Sequence, residues 1–148
     1  QGLVRAAGIA ARVFGGSLVG SAFAQRVLAP AACTLEVDGT RQPGRAFSLV
    51  LASVLPDVGL HVRATYRARE KPGAFHAVAS GLPPRGLAFE FPRVLAGRPM
   101  QGEAGVDAVA TSLRVVFDEA ASYVLDGDLV DARVVRVETG PTLRLIVP

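Results

Sequence analysis

The pattern of apolar and polar positions divides the chain at Pro30. Before Pro30, apolar residues recur at the spacing of one helix face, at Leu3, Ala7, Ala10, Ala11 and Phe14. Such spacing is typical of an amphipathic helix. The pair Gly15-Gly16 then interrupts the run, and a second helical stretch follows it. The pattern predicts a helical hairpin or kinked helix as a lead-in over residues 1–29, packed on the rest of the chain.

After Pro30 the pattern becomes that of β-strands, with apolar and polar residues in alternation. We predict strands over residues 33–38, 46–54, 60–70, 74–80, 106–117, 123–126, 133–138 and 142–147. The stretch 46–54 is almost continuously apolar, as a strand buried on both faces is. The stretch 60–70 alternates strictly and carries Arg63, Arg67 and Arg69 on its polar side. These arginines would form either a solvated sheet face or a surface for phosphate or membrane.

One helix is predicted in the middle of the chain. Pro83-Pro84 opens it, and Pro92 interrupts or kinks it. The apolar residues around it would either pack in the core or line a lipid pocket; they are Leu82, Leu87, Phe89, Phe91, Val94 and Leu95. Seven or eight short strands are best accommodated by two packed sheets. We therefore predict a mainly β domain spanning residues 1–148, with an antiparallel two-sheet β-sandwich over 31–148, the N-terminal helical segment and one mid-chain helix.

Composition indicates a packed globular protein and argues against several function classes. Of the 148 residues, 50% are hydrophobic and only 20% are charged, which argues against disorder. The net charge of +3 comes from scattered arginines and a single lysine, and there are two tyrosines and no tryptophan. A nucleic-acid surface needs clustered cations with stacking aromatics. No nucleic-acid partner is expected.

Cysteine and histidine are too few for a disulfide or a metal cluster. Cys33 is the single cysteine, and we expect it to be a buried apolar side chain in a reducing, cytoplasmic compartment. The uncharged run 13–24 is about half the ~20 residues that a membrane-spanning helix needs. Any contact with a membrane would therefore be peripheral.

Near its end the chain concentrates acidic residues in the stretch "VLDGDLVD", at Asp126, Asp128 and Asp131. Asp-Gly is a frequent hairpin turn, so a solvated turn is one interpretation. Catalytic carboxylates are the other, with Asp131 solvated in either case. A calcium loop is excluded, because the third oxygen ligand, the glycine and the distal glutamate are missing from their required positions.

The order of the elements, with "VDG", "GLPPRG", "VLDGD" and the ending "TLRLIVP", resembles the C-terminal domain of the diacylglycerol kinase and sphingosine kinase family, bacterial lipid kinases included. In that family a hydrophobic residue and Asp-Gly-Glu precede two short final strands; here the positions are Leu125, Asp126, Gly127 and Asp128. The resemblance implies a β-sandwich that forms one wall of a cleft and helps to hold a lipid. The opposite wall would be an α/β domain with a Gly-Gly-Asp-Gly-Thr nucleotide loop.

That nucleotide loop is missing from this sequence. The stretch "VDGTR" at 37–41 lacks the leading glycines and is interpreted as a plain turn between strands. Because the chain also begins at Gln1 and not at methionine, we expect a fragment without its upstream α/β nucleotide-binding domain. ATP and Mg²⁺ would be bound mainly by that domain, and the isolated chain would be inactive.

The resemblance also implies roles for individual residues. Asp128 would be the base that accepts a proton from the lipid hydroxyl, and Asp126 would orient the turn or contact Mg²⁺ through water. Gly127 and Gly73 would let the substrate approach the backbone. Gly73 belongs to "RAREKPGAF", where the family's Asp-Gly step has lost its aspartate. Aspartate in place of glutamate withdraws the carboxylate by roughly 1.5 Å, so weakened activity is expected.

Two functions follow from the sequence. The first is the substrate-side domain of a lipid kinase that phosphorylates a hydroxyl such as that of diacylglycerol. Its partners would be the upstream domain, a lipid substrate, a transient membrane surface and a second copy in a homodimer. The alternative is a non-catalytic β-sandwich that binds lipids or other proteins.

Overall fold

The computed structural model describes residues 28–57, 62–102, 105–126 and 128–141. Within them the elements follow in the order β1 (Ala31–Val37), β2 (Thr40–Arg41), β3 (Ala46–Phe47), β4 (Leu49–Ser53), β5 (Phe75–Ser80), α1 (Pro84–Leu95), β6 (Val106–Ala110), β7 (Ser112–Leu125) and β8 (Asp128–Glu138). The predicted helical lead-in falls almost wholly outside the described residues, and the predicted strand over 142–147 does so entirely.

The strands form two antiparallel sheets. The larger sheet has the order β2-β1-β7-β8, with β3 also paired to β1, and the smaller sheet has the order β4-β5-β6. The prediction of a mainly β, two-sheet fold with one mid-chain helix is confirmed. Among the described residues, no helix combines the length and the apolar character that crossing a membrane requires.

The core lies between the two sheets. Alternate residues of β1, including Cys33 and Leu35, meet alternate residues of β5, including Phe75 and Ala77, and all four are buried. This is the period-2 pattern of strands with one face toward a core. The predicted burial of Cys33 is confirmed, and burial raises the pKa of its thiol.

The turn between β1 and β2 is set by its own sequence. Val37 pairs with Thr40, so Asp38 and Gly39 alone connect the strands. Their φ angles are 46° and 77°, which is the left-handed conformation that a type I′ hairpin turn needs at both positions. "VDGTR" is therefore the plain turn that the sequence predicted.

The predicted single strand over 46–54 is wrong. The chain changes sheets at Ser48, because β3 pairs with β1 while β4 pairs with β5. Ser48 fixes this corner, since its Oγ donates hydrogen bonds to the carbonyl oxygens of Ser80 and Leu82. As an edge strand of the smaller sheet, β4 is only half-buried, whereas β5 at the centre is buried throughout.

The predicted strand over 60–70 is also wrong. Residues 64–69 form successive turns, with Ala68 N–H donating to Thr65 O at 2.9 Å and Glu70 N–H donating to Arg67 O at 3.0 Å. We call residues 62–74 the turn segment. The alternation over residues 62–70 matches a strand by coincidence, because the residues buried there are Ala64, Thr65 and Ala68, which do not alternate.

The predicted helix is present as α1, and it continues through Pro92 to Leu95. Pro84 stands in its first turn, where the missing N–H costs no intrahelical bond. Leu87 is buried against Leu28, with Leu82 packed beside them, so these residues belong to a core. Phe89 is 78% exposed and so does not pack in this core.

The last hairpin is longer and more bent than the sequence predicted. Strand β7 continues to Leu125, and β8 begins at Asp128 rather than at residue 133. Val116 pairs with Val134 and Ala121 pairs with Ala132, so the β7 residues between the two pairs outnumber those of β8. A bulge of this kind bends the strand that carries it.

Candidate functional site

An open cleft of about 690 Å³ lies where the end of β4, the turn segment and the end of β8 come together. Residues 52–55, 71–75 and 137–141 form most of its walls, and Asp126 from the tip of the last hairpin also contributes. This volume is within the usual range for small-molecule sites. We take this cleft as the candidate site because it has room for a small molecule and is lined by charged and apolar side chains together.

The cleft brings together two residues that the sequence singled out. Gly73 and Asp126 both line it, although they are far apart in the chain. Gly73 has φ 71°, and a Cβ added there would meet nothing within 4 Å. Asp128 pairs with Leu125 across the hairpin tip and is exposed, but it is not part of the cleft wall. Gly127 lies outside the described residues.

The carboxylate of Asp126 differs in its surroundings from that of Asp38, although each begins an Asp-Gly turn with a positive φ. Asp38 Oδ1 accepts hydrogen bonds from the backbone N–H groups of Thr111 and Ser112 at 2.9 and 2.8 Å, and from both hydroxyls. The Thr111 and Ser112 amides lower the pKa of Asp38. Asp126 has no hydrogen bond or ion pair with any described residue. Asp38 is thus a structural anchor, whereas the Asp126 carboxylate has no such partner within the described part of the chain.

Two cations share the cleft with Asp126. Arg69 and Lys71 both line it, both are exposed, and neither forms an ion pair with a described residue. The sequence placed Arg69 on a strand face and gave Lys71 no role. The turn sequence Lys71-Pro72-Gly73 could have indicated this, because proline and glycine favour a loop. Cations in or next to a loop, such as Lys71 and Arg69, are exposed.

A buried polar network holds the turn segment in place. Asp107 on β6 accepts hydrogen bonds at Oδ1 from Arg67 Nη1 at 2.9 Å and at Oδ2 from the Tyr66 hydroxyl at 2.8 Å. Nε2 of His76, on β5, lies 3.1 Å from the same Oδ1. His76 is fully buried, and its Nδ1 accepts the backbone N–H of Arg67 at 3.4 Å. The proton of neutral His76 is therefore on Nε2, which donates to Asp107.

The electrostatics of this network suit a positioning role. Burial acts to raise the pKa of the Asp107 carboxyl, but hydrogen bonds from its three partners outweigh it, so its pKa lies below the ordinary value of 3.8. Burial, and then the hydrogen bond to Asp107, raise the pKa of Tyr66 to about 12. Near neutral pH Asp107 is ionised and Tyr66 is protonated. Neither group has a pKa matched to proton transfer at that pH.

The turn segment is also tied to the opposite wall of the cleft. Thr65 is fully buried, and its Oγ1 donates a hydrogen bond of 2.6 Å to the carbonyl oxygen of Leu55. Together with the Asp107 network, this bond fixes the backbone just before Arg69 and Lys71. The sequence gave little sign of it, because a histidine and a threonine within apolar stretches do not reveal their distant partners.

The described residues of the cleft do not include a cluster of metal ligands. Across the described residues, no three His, Cys, Asp or Glu side chains come together as a metal site would require. The cleft acids are Asp126 and Glu138, and Glu138 lies 3.4 Å from Arg136 in an ion pair. This donor set does not fit the Mg²⁺ and ATP that the family resemblance implies.

No family model matches the chain, and no curated protein is significantly similar to it. Its function must therefore be argued from the side chains of the cleft and their chemistry.

Proposed function

We propose that this chain is the substrate-side domain of a lipid kinase-like protein related to the diacylglycerol and sphingosine kinases. It acts with an upstream α/β domain, which binds ATP and Mg²⁺, and it is inactive alone. The proposal rests on one observation: the carboxylate of Asp126, which has no partner among the described residues, lines the same cleft as Gly73. These two residues come from the two acidic motifs of the family resemblance.

The role of the domain is to hold a lipid hydroxyl and to remove its proton. A carboxylate within hydrogen-bond reach accepts this proton as the oxygen becomes a nucleophile, which is general-base catalysis. The resemblance assigns the base to Asp128, whereas the cleft wall favours Asp126 as the carboxylate that faces the substrate. Gly73 leaves open space for the approaching head group.

The test is phosphoryl transfer by the intact gene product, including any residues encoded upstream. We would supply labelled ATP and magnesium with diacylglycerol, sphingosine or phosphatidylglycerol. The Asp126→Asn and Asp128→Asn variants separate the two candidate bases, and Asp131→Asn is a matched control on the same exposed hairpin. Loss of the base costs roughly 10²–10⁴-fold in rate, so one of the first two variants should fall by at least a hundredfold.

Three outcomes distinguish the parts of the proposal. Equal activity of all three variants would remove the acidic turn from the mechanism while keeping the kinase. Loss of phosphoryl transfer in the Asp128→Asn variant alone would assign the base to Asp128, as the resemblance implies. An intact gene product that neither binds ATP nor modifies any lipid would reject the kinase.

A non-catalytic lipid-binding module is the second candidate. The exposed apolar side chains of Val54 and Leu55 at the cleft favour it, because they can contact a lipid without any chemistry. In both candidates the protein is cytoplasmic and reaches the membrane only peripherally. Lipid binding without phosphoryl transfer by the intact gene product would favour the non-catalytic lipid-binding module.

A further inference from the structure

The cleft wall carries two cations, Arg69 and Lys71, and two acids, Asp126 and Glu138. Arg69 and Lys71 have no acidic partner among the described residues, and of the two acids in the same wall Glu138 is paired with Arg136. Asp126 is therefore the one cleft carboxylate, within the described chain, that can offset two cations. When Arg136 is counted with its partner Glu138, three cations stand against two acids, and this one excess cation favours an anionic group in the cleft.

Apolar side chains stand beside these cations. Val54 is 61% exposed and Leu55 is 55% exposed, and both line the cleft. Leu125, next to Asp126 at the hairpin tip, is 56% exposed. Large aliphatic side chains rimmed by charge mark a surface that contacts another molecule. The chemistry of the rim is thus amphiphilic, with cations and aliphatic groups side by side.

The cations are presented by a fixed backbone. Arg67, two positions before Arg69, is bonded to Asp107, and Thr65 is bonded to Leu55 on the facing wall. Arg69 and Leu55 are consequently held at one cleft. A ligand that contacts both Arg69 and Leu55 would therefore bind without the entropy cost of ordering the turn segment.

From this arrangement we infer that the cleft binds an anionic phospholipid at the surface of a bilayer. Arg69 and Lys71 contact the phosphate, while Val54 and Leu55 contact the first methylenes of the acyl chains. That the bound phospholipid is also the acceptor of the phosphoryl group rests on the proposed kinase function. It predicts that an anionic glycerophospholipid is bound in preference to neutral diacylglycerol and to cationic sphingosine.

Vesicle binding by the 148-residue chain tests the inference without catalysis. Three vesicles would be compared: phosphatidylcholine alone, phosphatidylcholine with a minor fraction of phosphatidylglycerol, and phosphatidylcholine with the same fraction of diacylglycerol. Binding should be strongest to the second. Removing two cations in Arg69→Gln/Lys71→Gln should weaken it about thirtyfold, as two basic residues near an anionic lipid surface imply.

Matched variants distinguish the contribution of the cleft cations to vesicle binding from the effects of net charge and of misfolding. Arg41→Gln/Arg85→Gln removes two exposed cations that lie outside the cleft, and it should retain binding. Arg69→Lys/Lys71→Arg keeps both charges and should also retain binding. Val54→Ser/Leu55→Ser should weaken binding to the anionic vesicles, because both side chains are exposed and serve the ligand rather than the core.

The inference is overturned if Arg69→Gln/Lys71→Gln and Arg41→Gln/Arg85→Gln lose the same affinity for the vesicles. Binding would then depend on net charge alone. It is also overturned if soluble glycerol phosphate competes fully with the vesicles, which would indicate a free-phosphate site. Transfer to diacylglycerol without a preference for anionic vesicles would reject this inference and leave the kinase. Anionic-vesicle binding without transfer by the intact gene product would reject the kinase and leave this inference.

Discussion

Nε2 of the buried His76 and Oδ1 of Asp107 lie 3.1 Å apart, joining the central and the edge strand of the smaller sheet through their side chains. Arg67 and Tyr66 of the turn segment bond to the same carboxylate. A single acidic side chain thus organises the segment that carries Arg69 and Lys71 to the cleft. Its removal should affect both folding and the cleft.

Asp107→Asn should lower the free energy of unfolding by about 1–3 kcal/mol, because it removes the charge that three donors share and leaves buried polar groups unsatisfied. Urea denaturation measures the loss. The control is Glu70→Gln, which removes only an exposed partner of Arg67 and should cost under about 1 kcal/mol. Equal losses in both variants would contradict the central role of Asp107.

The pH dependence of stability follows from the lowered pKa of Asp107. A carboxyl group whose pKa is lower in the folded state contributes stability that is fully present above its unfolded pKa of 3.8 and is lost as the pH falls through the folded value. The stability difference between wild type and Asp107→Asn should therefore shrink as the pH is lowered below about 4. Chemical denaturation along an acidic pH series checks this. A difference that grew toward low pH would refute it.

Tyr66→Phe should remove the phenol that ionises near pH 12. Because its folded pKa is raised above 10.0, its hydrogen bond adds stability below pH 10 that is lost as the pH rises through the folded value. At neutral pH the substitution should cost about 1 kcal/mol, as expected for one hydrogen bond. Ultraviolet titration of the two tyrosines provides the check, with Tyr123→Phe as control. If Tyr66→Phe removed an ionisation at the ordinary tyrosine pKa of 10.0, the raised pKa of Tyr66 would be refuted.

The two Asp-Gly turns should respond differently to alanine. Asp38→Ala removes the acceptor of the Thr111 and Ser112 amides and should destabilise the fold by about 1 kcal/mol. Asp126→Ala removes a carboxylate with no described partner and should leave the midpoint of thermal unfolding nearly unchanged, apart from the effect on the turn itself. A larger shift for Asp126→Ala would show that its carboxylate is structural.

Gly73→Ala tests the backbone of the cleft. The φ of 71° is strained for alanine, and because the space around it is open the cost should be that strain, about 1–2 kcal/mol. Gly140→Ala is the matched control in the same wall, since it also has open space but no positive φ. Equilibrium denaturation of both variants gives the comparison. A similar loss in each would mean that the conformation of Gly73 is not the cause.

Much of the fold could be predicted because it depends on local chemistry. Strands β1 and β5 follow from period-2 alternation and from a run rich in apolar residues. The turn at Asp38 and Gly39 follows from the preference of Asp-Gly for positive φ. The start of α1 follows from Pro83-Pro84, since proline fits the first turn of a helix. Each of these signals lies within a few residues of the structure that it determines.

The candidate site was only partly accessible from the sequence. The family resemblance indicates the acidic turn and Gly73, but their meeting in one cleft is a tertiary arrangement that neither motif encodes. The difference between Asp38 and Asp126 could not be seen either, since both precede a glycine in an apolar context. Only the position of Thr111 and Ser112 decides which carboxylate is satisfied.

By itself, the sequence determined the mainly β class, the two tight turns and the helix, because apolar period, turn residues and prolines act on the neighbouring backbone. The tertiary structure decided the rest. Residues 62–70 alternate like a strand, yet residues 64–69 form turns, since bonds from Arg67 and Tyr66 to Asp107 are available only in the folded chain. The change of sheets at Ser48 likewise depends on acceptors on Ser80 and Leu82. Partners distant in the chain outweigh local propensity at both positions.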